Sequence, residues 1–273
     1  MFVLGERFSG KTFFISGCPR TLILDYEAGA WGVPDNINRA YRMEISTPEQ
    51  EVAVFAQLEA DKDNPARPFD RIVIETIDQM VEVDAEYLGI IQSTHSKTWD
   101  GTDIRQWGQK GAGYSILTAH IYDRLRKLGA WGYAWTVCGH VKEETIHLPD
   151  GKELTGLRPV CYSSLAAVVG RLADVRAMVN LVKIAKPVYK EVKIVGSTQI
   201  RKVSAGSEDT LRVQLDCAAQ EGGLSASGGK LRGVANLRMK ILLPELSSGE
   251  IGWDAFTSEY TKAAETVQHG VSL

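Results

Sequence analysis

The 273-residue chain is 44% hydrophobic and 24% charged, the balance of an ordinary globular protein with a core of its own, which excludes disorder along its whole length. Lys and Arg total 31 against 34 Asp and Glu, a formal net charge of −3, so any contact with nucleic acid has to come from local patches. The four cysteines, Cys18, Cys138, Cys161 and Cys217, are scattered without zinc-ligand spacing and fit a reducing compartment, and no apolar stretch is long enough to cross a bilayer.

In chain order, Phe2-Val3-Leu4 reads as a buried strand, followed by a glycine loop and a short helix, Thr12 to Ile15, stopped by Gly17 and Pro19. The N-terminus runs straight into that loop and leaves no room for a cleavable leader, so cytoplasmic localisation is expected. Thr21 to Asp25 is a second apolar, β-prone run. Thr47-Pro48-Glu49-Gln50 has the form of a capping box with proline at the first helical position, opening a helix with Val52, Phe55 and Leu58 on one face. Asp70 to Glu75 predicts a third buried strand. Ile77, Met80, Val81, Asp84, Tyr87, Leu88 and Ile91 then fall at helical spacing.

Residues 92–113 are polar and Gly-rich and read as a long loop. Leu117, Ile121, Leu125 and Leu128 mark another helix, and Tyr133 to Cys138 a fourth strand ending at Gly139-His140. Continuous apolar strands alternating with helices predict an α/β fold: a mostly parallel central sheet with helices on both faces. After a helix through Leu165, Val168, Val169 and Leu172 the pattern becomes β-rich, with strands expected at 175–184, 188–195 and 210–215. A Gly/Ser stretch at 222–229, a last strand at 237–243 and a helix from Trp253 to Glu265 follow. The expected organisation is a core over 1–180 and, over 181–273, a β-rich extension that completes the sheet and ends in a helix.

Gly5-Glu6-Arg7-Phe8-Ser9-Gly10-Lys11-Thr12 satisfies Gly-x-x-x-x-Gly-Lys-Thr at every fixed position, with a strand before it and a helix after. At average residue usage that match arises by accident in about one chain in a hundred of this length. Glycines let main-chain N–H groups turn inward around phosphate oxygens, and the helix N-terminus adds partial positive charge. Lys11 reaches the outer phosphates, and the Thr12 hydroxyl is a ligand for Mg²⁺. The expected ligands of this loop are therefore ATP and Mg²⁺.

Phosphoryl transfer also needs an acid to hold the metal and a group to orient the attacking water. Glu27 and Glu75 stand at the C-terminal ends of expected core strands, where open α/β sheets bind ligands, and His140 ends a third. Each has a plainer reading: Glu27 or Asp25 as a turn cap, Glu75 as the first acid of its helix, His140 as a satisfied structural histidine.

The segments GERFSGKT, LILDYEAGA, RIVIETID and WTVCGH, in that order and spacing, resemble the RecA-like P-loop ATPases over roughly residues 1–180, and look closest to small phage-type members that serve single-strand annealing and recombination. The resemblance implies ATP hydrolysis, with Glu27 in the place of the water-activating glutamate. It puts Glu75 at the metal-holding position, where an aspartate is usual, and His140 at that of the γ-phosphate sensor. It also implies homo-oligomers, single-stranded DNA as a partner and cooperation with a single-strand-binding protein.

Loops facing DNA would be 92–113, with His95, Lys97, Trp99, Arg105, Trp107 and Lys110, and 141–160, with Lys142, Lys152 and Arg158 among acids. The basic run Lys183, Lys186, Lys190, Lys193, Arg201 and Lys202 reads either as a phosphate-binding hairpin or as lysines guarding an edge strand. Arg232, Arg238 and Lys240 are candidates for a cation supplied to a neighbouring copy, or plain surface charge. A small-molecule P-loop kinase and a non-hydrolytic nucleotide-dependent scaffold are the rival functions. The first would need an Arg lid, for which Arg124-Leu125-Arg126 is the nearest match.

Overall fold

The apolar run at the N-terminus forms β1 (Phe2–Gly5), every residue of it buried, and the glycine loop leads into α1 (Lys11–Ser16). The structure is a computed structural model and describes residues 1–29, 33, 35, 38–96, 98–99, 101–147, 153–193, 200–217, 240–244 and 250–270. The expected Gly/Ser stretch at 222–229 lies outside the described residues.

The next elements are β2 (Thr21–Asp25), β3 (Ala40–Glu44), α2 (Pro48–Ala60), β4 (Arg71–Glu75) and α3 (Ile77–His95). They are followed by α4 (Ala112–Ala130), β5 (Ala134–His147), β6 (Glu153–Pro159) and α5 (Ser163–Leu172), then β7 (Arg176–Lys193), β8 (Ile200–Asp216), β9 (Lys240–Leu242) and α6 (Gly252–Gly270). One sheet runs β3-β2-β4-β5-β1-β7-β8-β9, with β6 paired to β5. It is parallel from β3 through β7 and antiparallel at β7–β8–β9 and β5–β6.

Neighbouring residues on the central strands enter opposite cores, which is why these strands are continuously apolar. Leu4, Leu24 and Ile74 pack with Met80, Leu117, Ile121 and Leu165 under α3, α4 and α5. Val3, Ile23 and Val73 pack with Phe14, Trp253 and Phe256 under α1 and α6. Phe14 and Trp253 lie 5.3 Å apart at their ring centres, so the last helix closes the face on which the phosphate-loop helix sits.

Several elements differ from the sequence expectation. On α2 the capping box forms, Thr47 accepting from the Gln50 amide, but Val54 is the buried neighbour of Phe55 and Leu58 while Val52 faces solvent. The segment 92–113 is not one loop: α3 runs to His95, Ile104–Gln106 forms a 3-10 turn, and α4 starts at Ala112. Two glycines make the turn's seat, since a Cβ on Gly89 or Gly113 would lie within 2.1 or 1.8 Å of the carbonyl oxygens of Thr102 and Ile104.

The strand expected to end at Gly139-His140 continues to His147 and pairs with β6, so the described part of 141–160 is an antiparallel hairpin rather than a loop. The strands expected at 175–184 and 188–195 are one, β7, which crosses Pro187 and carries a bulge between Val188 and Tyr189, so the expected boundary at residue 180 falls inside a strand; residues 194–195 lie outside the described residues. Of the strand expected at 237–243, residues 240–242 are β9, and 237–239 lie outside the described residues. Among the described residues no helix is long and apolar enough to cross a membrane.

Candidate functional site

Parallel register brings the C-terminal ends of the strands to one edge: Gly5 pairs with His140 and Asp25 with Glu75. β5 lies between β1 and β4, which sets the phosphate loop and Glu75 about 10 Å apart at the backbone. Side chains close that gap. The Thr12 hydroxyl, one residue into α1, donates to Glu75 Oε1 at 2.9 Å.

The loop itself is held by its own residue types. Gly10 has φ 97°, and a Cβ there would sit 2.8 Å from Val213 Cγ2; a Cβ on Gly5 would sit 2.5 Å from Ser9 Oγ and 2.6 Å from the Val179 carbonyl oxygen. Both positions therefore require glycine. Lys11 is buried and curls over the loop, its Nζ donating to the carbonyls of Gly5 at 3.0 Å and Glu6 at 2.8 Å. Burial lowers its affinity for the proton, while Glu75 and Glu27 oppose that effect.

Glu75 is buried, and burial pushes its carboxyl upward against the pull of Cys138, Thr12 and Lys11. The residue after it, Thr76, is the N-cap of α3, yet its hydroxyl does not cap the helix. It donates instead to Glu27 Oε1 at 3.0 Å. Asp78, in the first turn of α3 where the helix dipole favours an acid, accepts from the His140 amide at 2.8 Å and lies 3.1 Å from His140 Nδ1. Glu27 Oε1 is 3.4 Å from the same nitrogen. Glu27, Thr76, His140 and Asp78 thus form one connected group beside the Thr12–Glu75 pair.

Behind it lies a second group. Asp25 accepts from the Glu27 amide at 3.1 Å and pairs with Arg42 at 2.5 Å. Tyr26 donates its hydroxyl to Glu51 Oε1 at 2.5 Å, and Arg124 reaches both Glu51 Oε2 at 2.6 Å and Asp84 Oδ1 at 2.7 Å.

Arg7, Phe8, Ser9, Lys11, Thr12, Glu27, Glu75 and His140 all line one cavity of about 630 Å³, with Tyr26 and Gln79. That is room for a drug-sized ligand. The residues fit a triphosphate: a glycine-shaped loop, a buried lysine whose ammonium donates to loop carbonyls, and a buried Ser9 Oγ without a hydrogen-bond partner among the described residues. They also fit Mg²⁺ held by one carboxylate and one hydroxyl, an ion that completes its shell with water and phosphate oxygens.

Glu27, Glu75 and His140 were legible in the sequence; Thr76, Asp78 and Arg42 were not. Asp78 had a signal in its place in the first helical turn after a strand-end acid. Arg42 had none, because its strand is too polar to read.

The expected DNA-facing residues are dispersed. Arg105 is paired with Glu82 at 2.6 Å and Asp103 at 2.8 Å, and Trp107 packs against the core. Trp99 lies against Gly101, and Lys110 is exposed. Arg158 pairs with Glu144 at 3.1 Å. Lys97, Lys152, Arg232 and Arg238 lie outside the described residues, as do the side chains of Lys193 and Arg201. Lys183, Lys186, Lys190, Lys202 and Lys240 are exposed.

A family model described as an AAA domain matches residues 1–208. No curated protein matches the chain.

Proposed function

The chain belongs to the AAA-domain family, a family of nucleotide-binding ATPases, and from that premise we propose that it hydrolyses ATP in order to act on single-stranded DNA, in recombination or annealing of the phage type. One observation carries the ATPase reading: Lys11, the Thr12–Glu75 pair and the Glu27–Thr76–His140 group converge on a single cavity.

The loop amides of Gly5 to Thr12 and Lys11 bind the phosphates. Thr12 and Glu75 would hold Mg²⁺, which would supply positive charge to the phosphates. Glu27 takes the proton of the attacking water as its oxygen bonds to the γ-phosphorus and the bond to the ADP oxygen breaks. Thr76 fixes one carboxylate oxygen of Glu27, and His140, held by Asp78, stands where a γ-phosphate contact would report hydrolysis.

The kinase reading loses its nearest lid match among the described residues, because Arg124 is paired inside the core with Glu51 and Asp84. Single-stranded DNA as partner is supported by charge segregation: residues 181–212 carry seven Lys and Arg against three Asp and Glu in a chain of net charge −3. Assembly into a homo-oligomer and cooperation with a single-strand-binding protein belong to the same proposal.

The test is ATP turnover by wild type and Glu27→Gln with and without single-stranded DNA. Turnover that DNA raises in wild type, and that the substitution removes, is expected. Turnover equal in both proteins sinks the assignment of Glu27, and turnover indifferent to DNA sinks the DNA reading.

A further inference from the structure

Two helices of the fold open with the same pattern, Thr-x-x-Gln: Thr47 to Gln50 at α2 and Thr76 to Gln79 at α3. At α2 both reciprocal bonds form. The Gln50 main-chain amide donates to the Thr47 hydroxyl at 3.4 Å, and the Thr47 amide donates to Gln50 Oε1 at 3.2 Å. Together they satisfy two of the donors that a helix start leaves open.

At α3 neither bond forms among the described residues. The Thr76 hydroxyl goes to Glu27, and the Gln79 side-chain amide has no hydrogen-bond partner among the described residues. Gln79 is half-buried and lines the cavity together with Glu27, Glu75 and His140. The N-cap residue and the one three positions on are neighbours at a helix start, so Gln79 stands beside the threonine that holds Glu27. A local rule kept at one helix and broken at another of the same sequence marks the second as a place where the side chains serve a site.

Glu27 itself is half engaged. Thr76 and His140 both lie on its Oε1, and Oε2 has no partner among the described residues. A carboxylate that takes one proton from a water fixes only one of the water's bonds, and the attacking lone pair can still swing. A second contact is needed to aim it at the γ-phosphorus in line with the bond that breaks. A primary amide supplies it: the carbonyl oxygen accepts the water's other hydrogen while the N–H₂ donates to a phosphate oxygen. A carboxylate there would repel the phosphate, and an ammonium could not accept from the water.

We propose that Gln79 is a further catalytic residue of this site, its amide holding the attacking water together with Glu27. The proposal rests on the reading that the chain hydrolyses ATP, and adds the second group that aims the nucleophile. The water oxygen bonds to the γ-phosphorus, and one of its protons passes to Glu27 Oε2. The other stays on that oxygen, hydrogen-bonded to the Gln79 carbonyl, and the ADP oxygen leaves with the electron pair of the broken bond.

The experiment compares the full chain with Gln79→Met, which keeps the length and removes only the amide, and with Gln79→Ala. Turnover of ATP is measured with and without single-stranded DNA, beside Glu27→Gln. Affinity is measured for ADP with beryllium fluoride, which imitates the tetrahedral γ-phosphate, and for ADP with aluminium fluoride, which imitates phosphorus under in-line attack by water. Both Gln79 variants are expected to lower kcat about a hundredfold at unchanged KM, the effect of a misdirected nucleophile. Affinity for the aluminium fluoride complex is expected to fall by about the same factor, while the beryllium fluoride complex binds as in wild type and shows that the site is folded.

A wild-type kcat in both Gln79 variants, with Glu27→Gln inactive, overturns Gln79 and leaves the ATPase reading intact. Equal weakening of the two fluoride complexes overturns it too, since Gln79 would then grip the phosphate in the ground state. Wild type that turns over no ATP, with or without DNA, removes both readings.

Discussion

The hydroxyl of Tyr26 donates to Glu51 Oε1 at 2.5 Å and ties the residue before Glu27 to a cluster wholly inside the protein. Glu51 and Asp84 are both fully buried, and one guanidinium, Arg124, stands between them; His120 meets the outer side of Asp84 at 3.1 Å. Two acids share one strong cation. Burial, with Asp84 next in effect, raises Glu51 to about 7, and Arg124 pulls it back.

That arrangement makes stability depend on pH. Glu51 goes from 4.5 in a free chain to about 7 in the fold, so between those values the folded protein holds a proton that the unfolded chain has released. Its stabilising contribution is complete below about 4.5 and declines as pH rises to about 7. Urea midpoints at about pH 5 and about pH 8 should fall further in wild type than in Glu51→Gln. Equal falls in the two proteins would remove Glu51 as the source.

Arg124→Met leaves both carboxylates buried without their guanidinium. Breaking a buried pair in this way costs about 3–5 kcal/mol, and the variant should unfold at markedly lower urea than wild type at about pH 8. A midpoint within error of wild type would show that water or another cation already compensates the two acids.

At the phosphate loop, Lys11→Ala removes the cation that now caps the Gly5 and Glu6 carbonyls. Affinity for an ATP analogue, measured by calorimetry, is expected to fall by at least about a hundredfold, the worth of a charged hydrogen-bonding group in a buried site. Glu75→Gln keeps an acceptor for the Thr12 hydroxyl but no charge for the metal. It should bind the analogue and lose the dependence of that binding on Mg²⁺. Mg²⁺ dependence equal to that of wild type would displace Glu75 from the metal.

Much of this was legible because the site sits where patterns are strong. Phe2-Val3-Leu4, Leu22-Ile23-Leu24 and Ile72-Val73-Ile74 feed two cores and can be little else than central strands, and the acids that end them are marked by position alone. What was missed lies outside the two-sided core. β3 is an edge strand, with Tyr41 and Met43 exposed, so no apolar run announces it. β5 was cut short at His140 because its outer half, Lys142-Glu143-Glu144, is solvated and held by its ladder with β6. The sequence reads β7 as two strands on either side of Pro187, a residue that interrupts a central ladder, whereas here it stands in a ribbon with no second neighbour among the described residues. Contacts such as Thr76 to Glu27, made across 49 residues, leave no local trace.

Thr76 offers a way to separate positioning of Glu27 from the stability of α3. An N-cap threonine ordinarily contributes about 1 kcal/mol by accepting a helix amide, but here no such bond forms and the hydroxyl is spent on Glu27 Oε1 at 3.0 Å. Thr76→Val, nearly equal in volume, should therefore cost little of the cap's usual stability while freeing one carboxylate oxygen of Glu27 to rotate. Misplacing a general base by a fraction of an ångström lowers turnover without altering how the phosphates are held. The expected result is a kcat lower by about tenfold at unchanged KM, restored by Thr76→Ser. A fall in melting temperature with kcat intact would instead make the hydroxyl a structural contact and leave Glu27 to be oriented by His140.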